Sequence, residues 1–226
     1  MSAPHPRPEP STEGGTSATP GEAVSEAEPL LNDLTEAGRA RQRAAVAAAR
    51  GKARNAHSLV IVNTGNGKGK TTAALGLLLR AWGQGLRVIM LQFIKAQTGN
   101  WGEIKAAKKL GIEIIPLGDG FTWMSKDIEH DRALAQECWA RCREVLASGS
   151  YDLVVLDEMT YCLTFGWLDS AEVLDALRHR PSHTHVVITG RDAPSELTDF
   201  ADLVSEVREV KHPFKAGVRA QKGIEF

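Results

Sequence analysis

This sequence of 226 residues has little sulfur and no long apolar run. Its three cysteines are an odd number, and no stretch of about 18 apolar residues is present. The N-terminus also lacks the apolar segment that a secretory signal requires. These absences argue against a disulfide-stabilised secreted protein and against a membrane protein. We therefore expect a cytoplasmic protein with no membrane partner.

An excess of one charge is also missing, because 27 Lys and Arg residues stand beside 28 Asp and Glu residues. The total charge therefore gives no indication of a nucleic-acid partner. Cys138 and Cys142 are four positions apart in a helical pattern without further metal ligands nearby, so we expect packed thiols here and at Cys162. Hydrophobic residues make up 42% of the chain, which is enough to form the core of one α/β domain.

The composition divides the chain into three segments. Residues 1–30 are rich in Pro, Ser, Thr, Gly and Glu, and we predict a disordered tail because little apolar surface offsets the entropy of ordering. Residues 31–57 are rich in Ala and Arg and favour a basic helix. Both a solvated arm and a lid over an anionic ligand are compatible with this helix. Residues 58–226 form the third segment, which we expect to be a single folded domain.

Short β-branched runs alternate with helical patterns in the third segment, as in a parallel sheet with crossover helices. We predict an α/β fold of the P-loop (RecA-like) type, with a doubly wound, mostly parallel sheet, flanking helices and ligands at the carboxyl ends of the strands. The predicted strands are 59–62, 87–93, 113–117, 153–156, 185–189 and 203–210. The predicted helices are 70–82, 102–110, 126–147, 170–178 and 195–200.

The strongest local motif is a glycine-rich run between the first strand and the first helix of this domain. Glycines let backbone N–H groups turn inward around phosphate oxygens, and the following helix N-terminus adds its dipole. Lys70 supplies a cation, and Thr71 offers a hydroxyl to Mg²⁺. Thr64 replaces the first glycine of the usual G-x-x-x-x-G-K-[ST] pattern, which indicates a loop shaped differently from that of ordinary NTPases. The candidate ATP-binding residues are Gly65, Asn66, Gly67, Lys68, Gly69, Lys70, Thr71 and Thr72.

A pair of acids follows a buried strand further along the chain. Four apolar residues, 153–156, precede Asp157 and Glu158. At the carboxyl edge of a parallel sheet, one acid would hold Mg²⁺ directly or through water, and the other would orient the metal or a neighbouring residue. Capping of a helix is the alternative role for acids at this position. Together with the glycine-rich loop, the pair predicts a site for a nucleotide and Mg²⁺, with Mn²⁺ as an alternative cation.

P-loop folds host many reactions, so these motifs alone predict only a nucleotide and a divalent cation. One alternative is a P-loop ATPase that acts as a switch or motor, in which Glu158 polarises water and the products are ADP and phosphate. A small-molecule kinase is another, although the region after Arg178 lacks an arginine-rich lid. The paired acids and the two loop lysines, Lys68 and Lys70, disfavour an inactive nucleotide-binding scaffold.

Six motifs make the prediction more specific. They are T-G-N-G-K-G-K-T-T-A-A-L at 64–75, Q-F-I-K at 92–95, G-F-T-W at 120–123, V-L-D-E-M-T-Y at 155–161, I-T-G-R at 188–191 and V-K-H-P-F at 210–214. With these motifs in this order, the chain resembles the ATP:corrinoid adenosyltransferases of cobalamin synthesis and salvage. The resemblance covers roughly residues 35–226. It makes the third segment an ATP- and corrinoid-binding domain.

The resemblance implies that a cobalt(I) corrinoid attacks C5′ of ATP, forms a cobalt–carbon bond and expels triphosphate. It also implies that ATP lies reversed in its P-loop relative to kinases. The expected catalytic residues are then Lys70, Thr71 and Glu158. Lys68 and Lys70 would ease the departure of triphosphate, because negative charge builds on the leaving oxygen. Thr71 and Glu158 would ligate the metal, with Asp157 in support.

Four further residues receive expected roles. Arg191 follows an apolar strand and a glycine and is expected to reach phosphate or ribose, with a surface salt bridge as the alternative. Phe121 and Trp123 are expected to bind the corrinoid and exclude its lower axial ligand, which eases reduction to Co(I); anchoring their loop to the core is the alternative. His212 is expected to pack on ribose or adenine, although His before Pro also suits a turn.

The resemblance also extends to partners of the chain. It implies a homodimer, and a flavoprotein is a candidate reductant for the cobalt. The preferred corrinoid, either complete cobalamin or a precursor such as a cobyrinic acid diamide, is left open.

Overall fold

The computed structural model describes residues 35–52, 58–96, 98–120 and 127–224. The chain divides into two compact units, Met1–Asn55 and Ala56–Phe226. In the first unit, α1 (Glu36–Lys52) begins after Thr35, whose hydroxyl accepts the Gly38 N–H at 3.1 Å and caps the helix. The predicted tail at 1–30, and positions 31–34 and 53–57 of the predicted basic helix, lie outside the described residues.

The second unit contains a six-stranded sheet in which all strands are parallel. The strands are β1 (Val60–Thr64), β2 (Val88–Ala96), β3 (Glu113–Gly118), β4 (Leu153–Asp157), β5 (His185–Thr189) and β6 (Leu203–Glu206). Their order in the sheet is β3-β2-β4-β5-β1-β6, so β5 lies between β1 and β4. The predicted α/β class and parallel sheet are therefore confirmed.

Helices cover both faces of the sheet. They are α2 (Lys70–Gly83), α3 (Gly102–Leu110), α4 (Ile128–Ser148), α5 (Thr160–Thr164), α6 (Ser170–Arg178) and α7 (Ser195–Phe200), followed by a 3₁₀ turn at Pro213–Ala216. Side chains alternate along each strand, and Ile61, Val155 and Val187 pack on the face covered by α2 and α3. The residues beside them pack on the face covered by α4, α6 and α7.

Several boundaries differ from the sequence predictions, and two of these differences have a clear structural cause. α4 begins at Ile128 because Asp127 caps it, accepting the His130 N–H at 3.0 Å. β6 ends at Glu206 instead of continuing to residue 210, because the Val207 carbonyl accepts the Gly67 N–H at 2.7 Å and the backbone then follows the glycine-rich loop. The short helix α5 was not predicted.

The three cysteines are buried in the core on the α4 face, and all are free thiols. The prediction of packed thiols is confirmed. Burial raises the pKa of Cys138 and of Cys162 to about 12 and holds the pKa of Cys142 well above its usual value. Among the helices that the structure describes, none is long and apolar enough to cross a membrane.

Candidate functional site

The glycine-rich loop connects β1 to α2 and lies against the segment that follows β6. Gly65 and Gly69 have φ angles of 94° and 122°, in the left-handed range that favours glycine. A Cβ atom on Gly65 would lie 2.6 Å from the Val207 carbonyl oxygen, and one on Gly67 would lie 2.7 Å from the Arg208 carbonyl oxygen. The glycines at 65 and 67 are therefore required by close backbone approach as well as by the turn.

Lys70 is the first residue of α2, and its side chain is buried inside the loop. Its Nζ donates to the carbonyl oxygens of Gly65 at 2.7 Å and Gly67 at 2.8 Å. Burial lowers the pKa of Lys70, while the negative charge of Glu158 opposes that shift. The ammonium group thus lies at the centre of the loop, which is the position that a phosphate-binding cation requires.

Asp157 ends β4 and is fully buried with donors on both carboxylate oxygens. Its Oδ1 accepts the Thr71 hydroxyl at 2.9 Å and the Thr189 hydroxyl at 2.7 Å. Its Oδ2 accepts the Gln92 side-chain amide at 2.9 Å. The two acids predicted at this strand end therefore have different environments, since Asp157 is engaged by three neighbouring side chains.

Glu158 follows directly with a φ angle of 61°, an uncommon conformation for a residue with a side chain. Its Oε2 is buried and has no hydrogen-bond partner among the described residues. Burial raises the pKa of Glu158 to about 7, the charge of Asp157 adds to that shift, and Lys70 opposes it. The structure thus leaves one carboxylate oxygen available at the carboxyl edge of the sheet.

These residues fit a divalent cation bound together with a nucleotide. The Thr71 hydroxyl donates its hydrogen bond to Asp157, so the lone pairs of the Thr71 oxygen are free to face a cation. Glu158 adds the unpaired carboxylate oxygen. Within the described ranges, no cluster of three or more His, Cys, Asp or Glu side chains forms a metal site. Mg²⁺ suits such a sparse protein contribution, because it usually takes one or two carboxylates together with phosphates and water.

Arg191 lies in the turn after β5, and α5 fastens this turn. The Thr160 hydroxyl donates to the Arg191 carbonyl at 2.6 Å, and the Thr164 hydroxyl donates to the Asp192 carbonyl at 3.0 Å. The exposed guanidinium influences the pKa values of Lys70 and Glu158, so it lies within electrostatic range of both. No ion pair of Arg191 occurs in the part of the chain that the structure describes.

The other predicted site residues lie on the surface of the loop, at the start of α2, after β6 or outside the described residues. The His212 ring accepts the Phe214 N–H at 3.1 Å and caps the 3₁₀ turn, which is the turn role that the sequence left open. Asn66, Lys68 and Thr72 are exposed on the loop and the start of α2. Phe121 and Trp123 lie outside the described residues.

Sequence reasoning missed three of the four polar residues that form a row across neighbouring strands. Gln92 on β2 pairs in register with Asp157 on β4, and Thr189 on β5 pairs with Asn63 on β1. Each stands where the face toward α2 changes from apolar to polar, at or near the carboxyl end of β1, β4 and β5 and midway along β2, and all are buried. That switch within otherwise apolar strands was the available signal.

A second missed cluster lies at the end of β2. Lys95 forms an ion pair with Glu103 at the start of α3, and its Nζ lies 5.1 Å from the centroid of the Trp101 ring. The charge of Lys95 helps to lower the pKa of Glu158.

Comparison with known proteins adds to this geometry. Residues 56–226 match the family described as ATP:corrinoid adenosyltransferase BtuR/CobO/CobP. The corrinoid adenosyltransferase of Escherichia coli strain K12 is 44% identical over 177 residues, which are 77% of this chain and 89% of that protein. Corrinoid adenosyltransferase CobA of Salmonella typhimurium is 45% identical over the same shares of the two chains. The corrinoid adenosyltransferase of Pseudomonas aeruginosa is 41% identical over 77% of this chain and 87% of its own.

Proposed function

This chain belongs to the ATP:corrinoid adenosyltransferase family, and from that premise we propose how its residues share the reaction. The resemblance found in the sequence is confirmed. The enzyme transfers the adenosyl group of ATP to the cobalt of a corrinoid, as in cobalamin synthesis and salvage. Its substrates are therefore ATP and a corrinoid.

The observation that carries the proposal is the unequal state of the two acids. Asp157 has donors on both oxygens and accepts a hydrogen bond from the Thr71 hydroxyl. Glu158 retains a buried oxygen without a partner. We assign Thr71 and Glu158 as the ligands of Mg²⁺ and Asp157 as the residue that orients Thr71. The bound metal would neutralise charge on the triphosphate as it departs.

The glycine-rich loop binds the triphosphate in this proposal. The Nζ of Lys70 lies at its centre, and Lys68 lies on its exposed side. Lys70 exchanges the two loop carbonyls for phosphate oxygens when ATP binds. The Co(I) electron pair forms the bond to C5′ while the C5′–O bond breaks and its electrons pass to the triphosphate. Lys68 and Lys70 stabilise the charge that develops on that oxygen.

The remaining assignments concern the two substrates outside the loop. Arg191 is positioned by its turn to contact phosphate or ribose, and His212 lies in the segment that follows the loop contacts at Val207. Phe121 and Trp123, which lie outside the described residues, are proposed to bind the corrinoid and to exclude its lower axial ligand. We also propose a homodimer as the working form and a flavoprotein as the reductant.

An anaerobic product assay tests this assignment. Protein, Mg-ATP and a chemically reduced corrinoid are mixed, and adenosylated corrinoid and inorganic triphosphate are measured. We expect the two products in equal amounts, and at least a hundredfold slower formation by Lys70→Ala, because a cation on the leaving group is lost. Lys109→Ala, which changes an exposed lysine at the far end of α3, serves as the control and stays within twofold of the unmodified protein.

Two results would contradict the proposal. One is cleavage of ATP to ADP and phosphate without corrinoid, which a P-loop ATPase would give. The other is full transfer activity in Lys70→Ala.

A further inference from the structure

The Thr189 hydroxyl lies between the two acids of the site. Its Oγ1 donates to Asp157 Oδ1 at 2.7 Å and accepts the backbone N–H of Glu158 at 2.9 Å. A hydroxyl has one proton and two lone pairs, so it can make both bonds at once. Thr189 is fully buried at the end of β5, the strand between β1 and β4. One side chain therefore connects the carboxylate of one acid to the backbone of the other.

The bond to Glu158 fixes an uncommon backbone conformation. Glu158 has a φ angle of 61°, which residues with a side chain seldom adopt unless their surroundings hold them there. That conformation decides the direction in which the Glu158 side chain leaves the end of β4. Holding the Glu158 amide therefore also determines where its unpaired Oε2 lies.

The bond to Asp157 completes a set of donors from three elements. Thr71 at the start of α2, Gln92 on β2 and Thr189 on β5 together engage both oxygens of Asp157. Asp157 in turn orients the Thr71 hydroxyl. The position of Thr71 and the position of Glu158 thus both depend on the Thr189 hydroxyl, which reaches them through Asp157 and through the Glu158 backbone.

We propose that Thr189 is a positioning residue for adenosyl transfer, whose hydroxyl aligns Thr71 and Glu158 toward the divalent cation. The proposal rests on the proposed function for the identity of the reaction, but the alignment itself concerns only the binding of the cation. Thr189 is fully buried, so in this proposal it acts without contacting substrate. Its effect is transmitted by two hydrogen bonds, and residues that orient metal ligands in this way typically change metal affinity or activity by about 10–100-fold when they are replaced.

The test replaces the hydroxyl while keeping the shape of the side chain. In Thr189→Val, a methyl group stands in for the hydroxyl in a strand that suits β-branched residues. Thr189→Ser restores the hydroxyl. The matched control is Thr184→Val, because Thr184 is equally buried just before β5 and its hydroxyl donates to the Tyr151 carbonyl at 2.9 Å, at the opposite edge of the sheet.

Two quantities are measured on the full chain. The first is the affinity for Mn²⁺ in the presence of ATP, measured from the electron paramagnetic resonance signal of the free ion. The second is the rate of triphosphate release with reduced corrinoid, resolved into kcat and the KM for ATP. We expect Thr189→Val to weaken Mn²⁺ binding about tenfold or more and to lower kcat more than it raises KM. Thr189→Ser should lie within about threefold of the unmodified protein, and Thr184→Val should keep its Mn²⁺ affinity.

Retained Mn²⁺ affinity in a folded Thr189→Val protein would overturn the proposal, and so would equal losses in Thr189→Ser and Thr189→Val. If the valine variant does not fold, Thr189→Ala carries the same comparison with Thr189→Ser. Failure of the proposed function has a separate signature. The unmodified protein would then bind Mn²⁺ and ATP and release no triphosphate with reduced corrinoid, while the Mn²⁺ measurements would still report on the alignment.

Discussion

Glu158 has an energetically costly environment in the site. It combines a left-handed backbone, a buried oxygen without a partner and a neighbouring acid. Such costs concentrate at functional sites, where ligands relieve them. The cost is expressed as a pKa raised from 4.5 to about 7 by burial and then by Asp157.

This raised pKa makes the stability of the ligand-free protein depend on pH. Between pH 4.5 and about 7 the folded protein binds more protons at Glu158 than the unfolded chain does. The contribution of Glu158 to the free energy of unfolding therefore falls as pH rises through this window and stays low above it. We expect Glu158→Gln to be more stable than the unmodified protein at pH 8 by about 1–3 kcal/mol and to differ little at pH 5.

Urea unfolding at both pH values, without nucleotide or metal, checks this expectation. Glu144→Gln is the control, since Glu144 is an exposed residue of α4 whose side chain is 67% accessible. Glu144→Gln should change the free energy of unfolding by no more than about 0.5 kcal/mol at either pH. A Glu158→Gln protein that is less stable than the unmodified chain at pH 8 would show that the carboxylate is not strained.

At the scale of elements, the glycine-rich loop and the segment after β6 form one packed unit. The Gly67 N–H donates to the Val207 carbonyl at 2.7 Å, and an added Cβ would lie 2.8 Å from the same oxygen. Gly67→Ala should therefore push the two backbones apart, lower the free energy of unfolding by about 1–3 kcal/mol and weaken ATP binding.

Gly76 provides a matched contrast within the neighbouring helix. An added Cβ there meets nothing within 4 Å, and α2 gains from replacing glycine by alanine. Gly76→Ala should raise the free energy of unfolding by about 0.5–1 kcal/mol and leave ATP affinity unchanged. Unfolding curves and equilibrium dialysis with ATP measure both variants. Equal behaviour of the two would mean that the loop does not depend on its contact with Val207.

The elements that sequence reasoning missed share a cause. α5 has only five residues, too few to show a helical period, and its role is to fasten the turn that carries Arg191. The predicted end of β6 was too late because Val207 and Val210 are β-branched residues that favour a strand, whereas hydrogen bonds to the glycine-rich loop redirect the backbone. Both outcomes depend on tertiary contacts between segments distant in sequence, which local patterns do not encode.

At the scale of the whole molecule, the two faces of the sheet differ in the side chains that they contain. The strands were predictable because their side chains alternate between two apolar layers, and the glycine-rich loop and the two acids were predictable from their motifs. The contacts of Gln92 and Thr189 with Asp157 were not predictable, because they depend on the strand order β2-β4-β5. The face toward α2 carries these polar contacts, and the face toward α4 is apolar and contains every cysteine.

That arrangement predicts the reactivity of the thiols. Each cysteine is at most 3% exposed, and burial raises its pKa, so almost no thiolate exists at neutral pH. We expect no reaction of the native protein with an aromatic disulfide reagent over minutes at pH 7.5, and three reactive thiols after unfolding in urea. Rapid labelling of one thiol in the native protein would show that the layer between α4 and the sheet opens.

The burial of these thiols has a consequence for the cobalt substrate. Thiolate sulfur is a strong ligand for soft transition metals, and a corrinoid presents its metal at open axial positions. An accessible thiolate would ligate the cobalt in its oxidised states and oppose its reduction to Co(I). With all three cysteine thiols protonated and enclosed behind the sheet, no cysteine of this chain competes with the carbon of ATP for the cobalt.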